Sequence, residues 1–366
     1  MPWIPVLIDM RPDRLATGAA VAAIVLSFGV YATAAEPSAS DIETLRDRGT
    51  ALAESGHHEE AIPLLQQAVT IMRSQYGMFD LRQQDILKTL AASLTAMNRT
   101  TEAQDQMVYR VRTAEKNYGE GNPKVIPSLC DFGNWFAEVG KTPEARMTFQ
   151  VALNIVGDKE TLRAPIVVEP LRGIARAYML RSSYPEVWRR RTWPAERNKE
   201  GEEALQRALE ILESDPTPET SQTRIETLIQ MGDWYQIKKA PSEALPYYQR
   251  AWQLIRTTPG LPSSVATALN VPLRVYYPTP DIVANVPRGR PEDARSNHVQ
   301  VEFTVAADGS VQDARIVDHD TRDQYAQEIF AAVRASRFRP KFVDGQAVAA
   351  HGITYRQVFW TGAPRE

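Results

Sequence analysis

The chain has 366 residues, 43% of them hydrophobic, a formal net charge of −3 and one cysteine, Cys130. That length allows two or three domains, the near-neutral charge gives no pull toward nucleic acid, and a lone cysteine excludes an internal disulfide. At the N-terminus, Arg11 and Arg14 precede an uncharged run from Leu15 to Ala35 that ends in small residues before Glu36-Pro37. A charged start, apolar middle and small-residue exit make residues 1–35 a secretory signal peptide, and the run is also long enough to serve as an uncleaved membrane anchor. Either way the remainder is expected outside the cytoplasm, in the periplasm.

From residue 41 the chain repeats itself. Ala61, Ala103 and Ala145 stand 42 residues apart, each preceded by glutamate and, five positions earlier, by Gly56, Asn98 or Gly140. Gly49, Ala91 and Gly133 lie twelve residues before the three alanines, so two antiparallel helices can approach closely where both carry little side chain. Ala61, Leu64, Leu65, Ala68, Ile71 and Met72 form an apolar stripe at helical spacing. Gly232, Tyr235, Ala244, Tyr248 and Ala251 repeat the pattern, and Ala175, Tyr178, Ala204 and Ala208 supply a fourth unit around an insertion at about 182–200. A unit that can bury its apolar face only against its neighbours builds a solenoid. The pattern over residues 41–258 resembles the tetratricopeptide repeat family in a 42-residue variety, which implies an α-solenoid of about five helix pairs. Lys88, Asn134, Arg172 and Arg176, placed three residues before or one after the small packing positions, are expected to line its inner face and hold an acidic peptide.

Pro259-Gly260-Leu261-Pro262 breaks the last repeat helix, and residues 259–272 read as a linker carrying few groups able to pack on both sides. Two independently folding parts, 41–258 and 273–361, are therefore expected. In the second, Val299, Val301, Phe303 and Val305 alternate with polar residues, and Asp308-Gly309 turns the chain into a second strand whose phase slips between Val311 and Ile316. That slip predicts a bulge. Tyr325, Ile329, Ala332, Val333 and Ser336 share one helix face, and residues 353–360 form a closing strand.

Tyr277-Pro278, Val301–Val305 with Asp308-Gly309, Arg337-Phe338-Arg339-Pro340 and Asp344-Gly345 resemble, in order and spacing, the C-terminal domain of TonB-type energy transducers. The resemblance implies a small α+β domain outside the inner membrane that touches outer-membrane receptors through the Tyr-Pro segment and by adding a peptide strand to its sheet edge. Tyr277, Pro278, Tyr355 and Val358 are the residues expected at that contact. Such transducers also resemble one another in a membrane helix with a serine and, four residues on, a histidine; here Ser27 is followed at that distance by Tyr31. The favoured reading is a non-catalytic adaptor binding protein or peptide partners in the cell envelope, and the alternative is an anchored transducer or accessory of outer-membrane transport.

No motif for catalysis, metal or cofactor appears: there is no H-E-x-x-H, paired C-x-x-C, G-x-S-x-G or phosphate-cradling glycine loop. His57-His58 reads as a solvated helix start and Asp318-His319-Asp320 as a turn. The expectation is a protein that is not an enzyme and carries no cofactor.

Overall fold

The computed structural model describes residues 39–157, 164–182, 199–284 and 295–361. The expected signal or anchor, Ser27 and Tyr31 within it, and most of the insertion at 182–200 lie outside these residues. Helix pairs follow one another: α1 (Ala39–Glu54) and α2 (His58–Tyr76), α3 (Gln83–Ala96) and α4 (Thr100–Tyr118), α5 (Ile126–Glu138) and α6 (Thr142–Val156), α7 (Val168–Ser182) and α8 (Glu200–Ser214), α9 (Ser221–Ile237) and α10 (Pro241–Thr257). Helices α2, α4 and α6 start at residues 58, 100 and 142, which is the period read from the alanines. The described residues divide into two compact units. One runs to Trp135 and takes in Asn154–Val156, and the other comprises Phe136–Leu153 and the chain from Gly157 onward.

The recurring turn residue closes four of the hairpins in the same way. The N–H groups of His57, Arg99, Lys141 and Ala240 donate to the carbonyls of Leu52, Leu94, Phe136 and Tyr235 at 2.8–2.9 Å. The residue before each donor is left-handed: Gly56 at φ 82°, Asn98 at 58°, Gly140 at 78° and Lys239 at 59°. This wraps the open carbonyls of the ending helix and aims the chain back along itself. Five residues after each left-handed position sits a fully buried alanine, Ala61, Ala103, Ala145 or Ala244. The close approach expected twelve residues earlier is present where it can be measured. A Cβ on Gly49 would lie 2.9 Å from Leu65, and one on Gly232 would lie 2.3 Å from the Tyr248 ring. In the fourth pair, Ala175, Tyr178, Ala204 and Ala208 are all buried.

The stretch from Pro259 to Pro272 differs from the expected linker. It forms a short helix, α11 (Ser263–Ala266), and buries Val265 and Leu269 in a cluster with Ile225, Leu228, Ala244 and Tyr248 of the fifth pair. Proline and glycine content predicted a spacer, but two aliphatic side chains four residues apart on one side of a helical turn are enough to seat it. Phe342 joins the same cluster, and its N–H donates to the Leu269 carbonyl at 2.8 Å.

The C-terminal part contains β1 (Leu273–Tyr276), α12 (Asp281–Ala284), β2 (Arg295–Val305), β3 (Val311–His319), α13 (Asp323–Ala335), β4 (Arg337–Arg339), β5 (Lys341–Val343), β6 (Gln346–Val348) and β7 (Ala350–Thr361). Its main sheet is antiparallel in the order β3-β2-β7, while β1 pairs with β4 and β5 with β6. Alternation puts Val299, Val301, Phe303 and Val305 of β2 under α13, whose Ala326, Ile329, Ala332 and Val333 cover them together with Phe338, Phe359 and Tyr277. The bulge lies where the phase slips. Pairing jumps from Glu302↔Arg315 to Thr304↔Gln312, and Asp313 takes φ 51°. The turn at Asp308-Gly309 is longer than a two-residue hairpin, spanning residues 306–310, with Asp308 accepting from the Ser310 N–H and hydroxyl. Gly309 is required there, because a Cβ would sit 2.1 Å from the Phe338 carbonyl.

Candidate functional site

Among the described residues β7 has β2 on one side and no strand on the other. The backbone fixes which of its groups face outward. His298 donates its N–H to Asp320 at 2.5 Å and accepts from the Asp320 N–H at 3.3 Å, so both its polar groups point toward the β3 side. A residue in an antiparallel strand aims N–H and C=O the same way, and His298 is paired with Val358 across β2 and β7. The pair is therefore the non-hydrogen-bonded kind, and the Val358 N–H and C=O face the outer edge. The Val358 side chain is 48% exposed. The Gln357 amide reaches over and donates to the Val358 carbonyl at 2.8 Å, satisfying an acceptor that the ladder leaves open.

A chain of side chains backs this edge. Tyr355 donates to the Gln357 side-chain amide oxygen at 2.5 Å, and the Arg274 guanidinium lies 4.2 Å from the Tyr355 ring centre and 4.6 Å from that of Tyr277. The two tyrosine rings meet edge to face at 5.7 Å. Tyr277 is buried and its hydroxyl has no hydrogen-bond partner among the described residues; burial, and then Tyr355 beside it, push its pKa well above the ordinary tyrosine value. Of the four residues expected at this contact, Tyr277 and Tyr355 meet edge to face, Val358 stands on the edge, and Pro278 follows Tyr277 half-buried at the surface. Arg274 was not anticipated. Its only sequence signal is a cation three residues before the Tyr-Pro pair.

The residues expected on the repeat face are engaged within the fold. Lys88 donates to Asp131 at 2.7 Å, and Asp131 also faces Arg110 at 2.8 Å. Asn134 is half-buried on α5. Arg172 is buried against Glu226 at 3.0 Å, Glu169 at 3.2 Å and the Gln230 side-chain amide oxygen at 3.4 Å, and Arg176 lies 3.7 Å from Glu169. Lys88 and Arg172 thus each meet a carboxylate two helices further along the chain, Lys88 with its side chain 58% exposed and Arg172 buried.

A buried ion pair ties the C-terminal part to the fifth helix pair. Arg339, from the Arg-Phe-Arg-Pro segment of β4, donates to Asp233 of α9 through Nε at 3.0 Å and Nη2 at 2.6 Å, and through Nη1 to the Ala268 carbonyl at 3.2 Å. Tyr248 adds its hydroxyl to the same carboxylate at 2.8 Å. Burial drives the Tyr248 pKa far up; burial opposes the Arg339 charge too, but Asp233 outweighs it and holds the guanidinium above its ordinary value.

The three histidines of this part do not converge. His298 lies between Asp318 at 2.7 Å and Asp320 at 3.0 Å, His319 contacts the Thr321 carbonyl, and His351 contacts the Thr304 hydroxyl. Asp318 and Asp320 are thus partners of His298 across the β2–β3 pair, where the spacing alone suggested a simple turn. Among the described residues no group of three or more metal-binding side chains gathers, and no helix is long and apolar enough to cross a membrane.

Residues 291–358 match the family model of the Gram-negative bacterial TonB protein C-terminal. The C-terminal part thus matches a TonB-type domain. Among solved structures, the nearly identical TPR-like repeats of a Podosopora anserina kinesin light chain align at 17% identity and TM-score 0.45, over 60% of this chain and 96% of that one. BtubC from P. vanneervenii aligns at 16% identity and TM-score 0.42, over 61% and 90%. Pseudomonas aeruginosa pilF aligns at 13% and 0.32, over 63% and 96%. No curated protein matches the chain. Helix-pair repeats are thus followed by a domain that matches the TonB C-terminal model.

Proposed function

We propose that the protein is a non-catalytic adaptor of the cell envelope, exported to the periplasm, which binds one protein partner along its repeats and a second at the edge of its TonB-type domain. The observation carrying this reading is the outer edge of β7, where Val358 presents a backbone donor and acceptor beside the Tyr277–Tyr355–Arg274 stack. An extended segment pairing there would gain ladder hydrogen bonds for affinity and an aromatic neighbour for selectivity. The Gln357 amide acts as a cover that the incoming strand displaces when its own N–H takes the Val358 carbonyl. On the repeats, Lys88 and Asn134 in one unit and Arg172 and Arg176 in the other are the residues assigned to peptide contact, the three cations working as ion-paired donors that exchange carboxylates and the Asn134 amide clamping peptide backbone.

Val358→Pro tests the edge. It removes an outward N–H and no bond to β2, so the domain should keep its melting temperature while losing its envelope partner in a binding assay. A folded variant with unchanged affinity would exclude strand addition at this segment. Sequencing the mature N-terminus tests export, with a new terminus after Ala34 or Ala35 as the expected result. The transducer alternative is less favoured, because Tyr31 occupies the place where that resemblance implies a proton-responsive histidine.

A further inference from the structure

Among the described residues β5 and β6 have no ladder partner but each other, and each is three residues long. So small a hairpin buries too little apolar surface to persist alone in water. The fifth helix pair, in the same compact unit, supplies what it lacks. Phe342 is 4% exposed and meets the Tyr248 ring edge to face at 6.2 Å, Ala347 packs on the same cluster, and a Cβ on Gly345 would lie 3.2 Å from Trp252 of α10.

The chain leaves no tether between the two parts. Leu269 is buried in the cluster of the fifth pair and β1 begins at Leu273, so Asn270, Val271 and Pro272 alone lie between. The Asn270 N–H donates to the Thr267 carbonyl at 2.9 Å, and Pro272 fixes its own backbone. Away from the hairpin the contact continues. The Gln236 amide donates to the Asp308 carbonyl at 2.9 Å, a Cβ on Gly309 would lie 2.7 Å from that amide, and Arg339 holds Asp233 and the Ala268 carbonyl. These seats lie on α9, α10 and α11 on one side, and on the 306–310 turn, β4 and the hairpin on the other. A swing about any one of them breaks the rest.

From the unsupported hairpin, the three-residue connection and the spread of seats, we propose that β4, β5 and β6 form a docking arm that fixes the TonB-type domain to the end of the repeats. The fifth helix pair and the β7 edge then move as one rigid body. The arm also covers an apolar face of the last helix pair, as a terminal capping repeat does in a solenoid. None of this depends on the β7 edge being a docking strand.

The test is a pair of spin labels on the purified protein, at Gln253→Cys of α10 and Gln324→Cys of α13, both exposed, with the buried thiol removed by Cys130→Ala. Pulsed electron resonance should give one narrow distance peak. Phe342→Ser combined with Arg339→Gln should broaden it. In hydrogen exchange, the β5 and β6 amides of that variant should exchange about tenfold or more faster, while those at the centre of β2 stay protected. A broad distance distribution in the wild type would overturn the proposal, whether or not the variant folds. So would a narrow peak, or a β5–β6 protection, that the variant leaves unchanged, because the rigid contact would then lie elsewhere.

Discussion

The first and last helix pairs share one frame and fill it differently. In the first pair Gly49 faces Leu65, and in the last Gly232 faces Tyr248, each glycine twelve residues before the buried alanine and each partner four after it. Leucine makes the first crossing wholly apolar. Tyrosine places a hydroxyl on the buried Asp233, and that carboxylate receives Arg339 from the TonB-type domain. A repeat register therefore fixes where two helices touch, while the residue at the contact decides whether the pair is closed or built to receive another part of the chain.

The largest expected effect comes from breaking that reception. Arg339→Leu leaves Asp233 buried without its cation and should cost about 3–5 kcal/mol in chemical denaturation. Asp233→Leu combined with Arg339→Leu should recover most of the loss, which would separate the cost of an orphaned charge from the net worth of the pair. A fragment starting at residue 273 should share this weakness, since it strands Arg339 and exposes Phe342. Both its cooperative melt and its midpoint would show how far the two parts stand alone.

Next come the helix crossings. Gly232→Ala drives a Cβ into a buried aromatic ring and should cost about 1–3 kcal/mol, whereas Gly49→Ala meets the tip of a leucine that can turn aside and should cost less. Ala103→Leu should fall in the same range of about 1–3 kcal/mol, while Glu102→Gln, on the exposed Arg99–Glu102 pair, should change the midpoint little. Comparable losses for the two glycine variants would mean that the closed and receptive pairs are equally rigid.

A smaller effect separates the turns. Lys239 takes the left-handed position that Gly56 holds in the first pair, so Lys239→Gly should stabilise by up to about 1 kcal/mol and Gly56→Lys should destabilise by a similar amount.

The smallest effect is the pH response of His298. Asp318 first and Asp320 with it raise its pKa above the ordinary histidine value, against burial and the repulsion of Arg356. A raised value in the folded state contributes stability that is complete below the unfolded histidine value and disappears as pH climbs through the raised one. Asp318 and Asp320 are held below the carboxylate range by His298, so their contribution is present above the unfolded carboxylate value and disappears as pH falls through the depressed ones. Melting temperature should therefore decline toward alkaline pH in the wild type, and His298→Gln should flatten that decline.

Much of this was legible from the residues because it is local. A left-handed turn needs Gly or Asn, a close crossing needs a small side chain, and both recur at fixed spacing, so the frame of the helix pairs follows from Gly56, Asn98, Gly140 and their alanines. The strand alternation at Val299–Val305 and the slip after Val311 likewise follow from a period of two and its interruption. The outward direction of Val358 did not follow, since it depends on which side of β2 His298 addresses, a matter of pairing across sixty residues of chain.

What the sequence alone determined is therefore the period, the turn chemistry and the face of each element, all set by interactions within a few residues. The tertiary structure alone decided the partners: Arg172 turned from an open cation into one bonded by Glu226, residues 259–272 turned from spacer into core, and Arg274 came to lie over the rings of Tyr277 and Tyr355. The physical reason is that charge and apolar surface are recognisable in any residue, but what satisfies them is chosen among every group the fold brings within a few ångströms, most of them far away along the chain.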